Sequence, residues 1–155
     1  MSNKHFPDVE KVKELIKVLN ASVKFYRDAQ LSVNDRFLIV AFEEVALSHE
    51  KCVDRLQNFV LIEDGEYESG TDWAVRVREM YTSLAASVKS DTDLTYVSQL
   101  EEVEDKLLEA CDDALRSEQP LHAITALNEV RVELRICHDK IRQLQFQKER
   151  RAAHS

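Results

Sequence analysis

Both glycines of this chain, Gly65 and Gly70, fall within one short acidic stretch, and its two prolines stand at positions 7 and 120. Over 155 residues that leaves almost nothing to break a helix. Such a chain is held to a few long helices, joined where turn residues gather. It is long enough to bury a core of its own, so residues 1–155 are expected to form one domain.

The apolar residues repeat with the helical period. Pro7 and Asp8 suit a helix start, and Val9, Val12, Leu15, Ile16, Leu19, Val23, Tyr26 and Ala29 then share one face. The spacing predicts a first helix over about 8–30. The short polar link Ser32–Asp35 makes the next helix its antiparallel neighbour. That second helix is predicted over about 35–62, with Leu38, Ala41, Phe42, Val45, His49, Cys52, Leu56 and Phe59 as its stripe. Phe37, Val40, Ala46, Val53 and Val60 widen the stripe, as in a helix that touches two neighbours.

Glu63–Thr71 is the most loop-like segment. A shorter helix over about 72–88, carrying Trp73, Val77, Met80, Tyr81 and Leu84 on one face, reads as a crossover. The third long helix, about 92–116, has Val97, Leu100, Val103, Leu107, Ala110, Cys111 and Ala114 on its inner face, with Glu104 among them. After a turn at Ser117–Pro120 the last helix, about 120–149, carries Leu121, Ile124, Leu127, Arg131, Leu134, Cys137, His138, Ile141 and Leu144. Residues after Glu149 are expected to fray. The fold class is all-α: an antiparallel four-helix bundle with a crossover helix between the second and third long helices.

The stretches EEVEDKLLEACDDAL (Glu101–Leu115), HDKIRQL (His138–Leu144), LIKVLNASVKFYRDA (Leu15–Ala29) and the Trp73-led crossover carry a resemblance. Over roughly 12–144 the chain resembles a bacterial family of ferritin-like four-helix-bundle proteins of unknown function. The chain departs from it in having EDGEYESGT where the family often has a Gly-Gly turn, and Cys111 where it often has Tyr. The resemblance implies a ferritin-like bundle and brings no activity with it.

Bulk charge narrows the partners. A formal net charge of −8 disfavours nucleic acid and anionic membranes. The longest purely apolar run, Phe37–Phe42, is too short to span a bilayer. The N-terminus has no apolar signal core, and Cys52, Cys111 and Cys137 read as buried thiols in a reducing cytoplasm.

Glu104 poses the functional question, because a carboxylate aimed at a core must be paired, protonated or metal-bound. Ferritin-like di-iron sites take a Glu from each of two helices and a Glu-x-x-His pair from each of the others. Here Ala46 precedes His49 and Arg135 precedes His138 at that distance, while Glu44 and Glu133 stand five residues before a His, off its face. The standard di-iron set is absent. Zinc would accept His49, Cys52, Cys111, Cys137 or His138, but these lie on different helices. Mirroring residue levels across Ser117–Pro120 puts Arg131 opposite Glu104, with His49 at similar depth, so His49, Glu104 and Arg131 are expected to form a buried polar layer. Tyr26 and His138 are expected to be core residues whose polar ends reach a partner.

The chain shows no phosphate loop and no nucleophile motif, and no enzyme activity is expected. The expected function is self-association, as in a dimer, or protein–protein interaction, with Phe6, Phe25 and the Trp73 helix as contacts and no cofactor. The alternative is a ferritin-like protein with a non-standard iron or zinc site using His49, Glu104 and His138. A carrier of a small apolar ligand would need an internal cavity.

Overall fold

The computed structural model describes residues 9–64 and 92–153. Four helices account for nearly all of them: α1 (Val9–Ser32), α2 (Arg36–Asp64), α3 (Thr92–Arg116) and α4 (Leu121–Ala153). There is no strand among the described residues. The expected crossover helix lies outside them, as do Phe6 and Trp73. No helix among the described residues is long and apolar enough to cross a membrane.

The helices pack as a four-helix bundle in which α1 and α4 each touch both α2 and α3. The core is built from the apolar stripes: Leu15, Leu19 and Tyr26 of α1, Leu38, Phe42 and Leu56 of α2, Leu100 and Leu107 of α3, Leu127, Leu134 and Ile141 of α4. Cys52, Cys111 and Cys137 are free and buried.

Local chemistry fixes where the helices begin and end. The Asp35 carboxylate accepts the Phe37 N–H at 2.8 Å and so caps α2. Asp93, at the start of α3, accepts the backbone N–H groups of Asn34 and Asp35 at 3.0 and 3.1 Å. Lys148 near the end of α4 reaches both carboxylates, so four helix ends are tied at one point. At the opposite end the Ser117 hydroxyl donates to the Ala114 carbonyl at 2.7 Å and closes α3. The Pro120 carbonyl accepts from Ala123 and Ile124 and starts α4.

Three expectations need correction. Phe37 and Val40 face outward rather than widening the core stripe, with Phe37 78% exposed. Leu121 is exposed too. The last helix continues to Ala153, past its expected end near Glu149.

Candidate functional site

Halfway along the bundle the apolar core is interrupted by one polar layer. Tyr26 and Ser22 lie one helical turn apart on α1 and both point inward. His49 comes from α2, Glu104 from α3 and Cys137 from α4, and His49 and Glu104 are completely buried. Each stands on its helix's apolar stripe, which is why each is carried into the core.

The Tyr26 hydroxyl donates to Glu104 Oε2 at 2.5 Å. His49 Nε2 lies 3.3 Å from the same oxygen. The Tyr26 ring is held edge-on between Phe42 and His49, with centroids 5.7 and 5.5 Å away. On the far side of the imidazole, Nδ1 is 2.8 Å from Ser22 Oγ. The Ser22 hydroxyl donates its one proton to the Leu19 carbonyl at 2.7 Å. Its oxygen therefore accepts from His49 Nδ1–H. This arrangement assigns the Nδ1 proton and aims Nε2 at Glu104 and Cys137.

One polar atom of the layer is left over. His49 Nε2 meets Glu104 Oε2 only as an ion pair at 3.3 Å, outside hydrogen-bond geometry, whereas Glu104 Oε1 has no partner at all although it is buried. Such groups are rare, because a buried unmatched polar atom costs about 1–3 kcal/mol. His49 Nε2, a Glu104 oxygen and Cys137 Sγ all lie within 4.8 Å of one another. Donors around a tetrahedral ion at zinc-like bond lengths stand roughly 3.3–3.8 Å apart, so the His49–Glu104 separation suits an ion between them.

The electrostatics follow from depth. Burial by itself pushes His49 toward the neutral form, but the Glu104 carboxylate and Cys137 outweigh it and raise the imidazole from 6.5 to about 10. The Glu104 charge thus favours the imidazolium form of His49. Burial, then the charge of Glu104, pushes the Tyr26 phenol well above its ordinary value. Burial likewise raises the Cys52 and Cys111 thiols to about 12, so neither serves as a ready thiolate.

His49 and Glu104 meet as expected, and Arg131 does not join them. Its guanidinium pairs with Asp112 at 2.6 Å, and its side chain is 41% exposed. Mirroring Cα levels ignores the lean of helical side chains toward their own N-termini. That lean, added to the stagger of α3 against α4, shifts partners along the pair: Ser98 meets Gln145, Asp105 meets His138 and Asp112 meets Arg131. Glu104 is therefore level with the His138 region, about two turns beyond Arg131. His138 is buried with its polar end on a partner, as expected of a core residue, and it stands outside the group formed by His49, Glu104 and Cys137. It faces Asp105 at 2.7 Å and Asp139 at 3.3 Å, and its neighbour Cys137 faces the layer instead. Successive helical residues point about 100° apart, so the two, both buried, face different neighbours. Phe25, expected as an association contact, is core. The parts the sequence reading did not place in the layer are Ser22, Tyr26 and Cys137. Their shared signal was a polar atom on an inward stripe.

A profile described as a domain of unknown function, DUF2383, matches residues 8–117. The chain belongs to that family. The span matched to DUF2383 holds Ser22, Tyr26, His49 and Glu104, while Cys137 comes from α4 beyond it. No curated protein and no solved structure matches the chain.

Proposed function

We propose that this DUF2383 protein is a bacterial, ferritin-like antiparallel bundle that holds one transition-metal ion between His49, Glu104 and Cys137. One observation carries the reading: three ligand atoms from three helices converge within 4.8 Å in the core, and Glu104 Oε1 there has no hydrogen-bond partner. Imidazole, thiolate and carboxylate suit a borderline ion such as zinc or ferrous iron. The two anionic donors balance a dication, and a neutral complex is what a dry core tolerates. The Ser22 hydroxyl keeps the second ring nitrogen protonated, as the outer partner of a ligating histidine does. A thiolate ligand needs a reducing compartment, which fits a cytoplasmic protein.

The test is elemental analysis of protein purified without chelator, before and after incubation with zinc(II). One equivalent per chain is expected, falling to about a tenth or less in Cys137→Ser and His49→Ala, since losing even the outer partner of a ligand costs about 10–100-fold in affinity. A wild-type chain that takes up no metal in either sample overturns the reading.

A second reading, association with another copy of the chain, is supported by the outer face of α2 and α4. Val40, Leu47, Val132, Ile136 and Phe146 are exposed there. Phe37, Val40, Ala41 and Leu144 line an open groove of about 590 Å³ between the two helices. Sedimentation equilibrium should find a dimer that Val132→Glu dissociates. A monomer at all concentrations removes this reading.

A further inference from the structure

The apolar side chains that α2 and α4 leave outside the core are arranged in register. Along the seam between the two helices Glu44 meets Lys140, Ser48 meets Glu133 and Arg55 meets Glu129, so numbering rises on one helix as it falls on the other. In that register exposed Phe37 stands about level with Phe146, and exposed Leu47 about level with Ile136. On each helix the two apolar residues are about 15 Å apart along the axis. The flanks of the same face carry charge. On α2, Arg36, Glu43 and Glu50 recur every seven residues, on the side where Glu43 and Glu50 reach Arg27 of α1. On α4, Arg135, Arg142 and Glu149 recur likewise, three or four residues from His138 and Gln145, which face α3. Taken at equal levels, the α2 flank is positive, negative, negative, and the α4 flank is negative, positive, positive. Resting on the association reading above, we propose that the occupant of this face is a second copy related by a two-fold axis parallel to the helices. Each α2 then lies over the other copy's α4.

Such an axis keeps every residue at its own level and exchanges the two sides of the face. Phe37 meets Phe146 of the second copy, and Leu47 meets its Ile136. The flanks, which stand apart within one chain, come together with opposite signs: Arg36 on Glu149, Glu43 on Arg142 and Glu50 on Arg135, each twice by symmetry. Two flanks of one chain that complement each other are what a self-complementary interface requires. Glu44 and Asp139 also meet, and each brings its own cation, Lys140 at 2.6 Å and Arg135 at 3.6 Å. The other two-fold axis open to this face lies across the helices and sets α2 on α2 and α4 on α4. It would oppose Glu43 to Glu43 and Arg142 to Arg142, and like charges brought together cost affinity. The charge order of the flanks selects the first axis.

The test uses full-length Glu50→Arg and Arg135→Glu chains. Each variant alone sets two like-charge pairs in its homodimer. Sedimentation equilibrium should find each homodimer about tenfold weaker than wild type, as expected when two surface pairs turn from attraction to repulsion. Mixed in equal amounts, the two variants should prefer each other, because their heterodimer regains opposite charges wherever positions 50 and 135 meet. Native mass spectrometry separates the three dimers by mass, and the heterodimer should far exceed the share that random pairing gives. With the axis across the helices, position 50 would face Arg36 and position 135 would face Glu149, and mixing would recover nothing. A heterodimer no commoner than random pairing gives, from a protein whose wild type dimerises, overturns the proposed axis and leaves the association reading standing. A wild type that stays monomeric at all concentrations removes both.

Discussion

Two clusters in this bundle place a carboxylate of α3 among groups from other helices, and they treat its oxygens differently. At the bundle end every acceptor of Asp93 is used: Oδ1 takes the Asn34 N–H, and Oδ2 takes the Asp35 N–H and faces Lys148 at 3.6 Å. Asp35 beside it is spent on the Phe37 N–H and on Lys148 at 3.0 Å. In the middle layer Glu104 Oε2 is approached by both Tyr26 and His49, while Oε1 has no partner. A cluster that only tied helices together would match its donors to its acceptors, as the end does. The middle layer leaves Glu104 Oε1 unmatched in the core, and this surplus is what the proposed metal site would use.

The sharpest way to break that comparison is to remove each carboxylate in metal-free protein. Glu104→Ala leaves the buried His49 imidazolium unpaired and should cost about 3–5 kcal/mol in urea denaturation. Zinc tests the other half of the contrast. At a hundredfold excess over its dissociation constant it should stabilise wild type by about 2.7 kcal/mol and leave Cys137→Ser unchanged. Asp93→Ala, which strands two backbone donors near solvent, should cost about 1–2 kcal/mol. A larger loss at Asp93 than at Glu104, or stabilisation of Cys137→Ser by zinc, would remove the distinction between the two clusters.

The helices were legible in the sequence because their signals are local. Apolar spacing placed the Arg116 end of α3 where it stands and put Glu104 and His49 inside. Equal depth was enough to bring those two together, because both sit near mid-helix. The choice of Arg131 over Cys137 failed because it turns on two quantities no single helix encodes: side-chain lean and the stagger of α3 against α4. A rotation of one residue separates Cys137 from His138, and a shift of two turns separates Arg131 from the layer. The exposure of Phe37 and Val40 was hidden for a similar reason. Both lie at the margin of a wide stripe, and which margin a neighbour covers depends on the whole bundle.

The bundle end offers the smallest and most controlled test, through pH. Burial alone would raise the Asp35 carboxyl, but the Lys148 ammonium, the Phe37 N–H and the charges of Lys148 and Arg151 together lower it below its ordinary value of 3.8. A group held lower in the folded state binds protons more readily when unfolded, so stability rises with pH across the interval between the two values. The Asp35 contribution is therefore complete above the unfolded value and is lost as pH falls through the lowered folded one. Asp35→Asn separates this from helix capping. Asparagine can still accept the Phe37 N–H but offers Lys148 no charge. Urea midpoints should be higher for wild type at pH 6, and the gap to Asp35→Asn should close steadily as the solution is taken down through the carboxylate range. A gap that stays constant down to the lowest pH would mean that the charge on Asp35 contributes nothing and that the staple is held by its backbone hydrogen bonds alone.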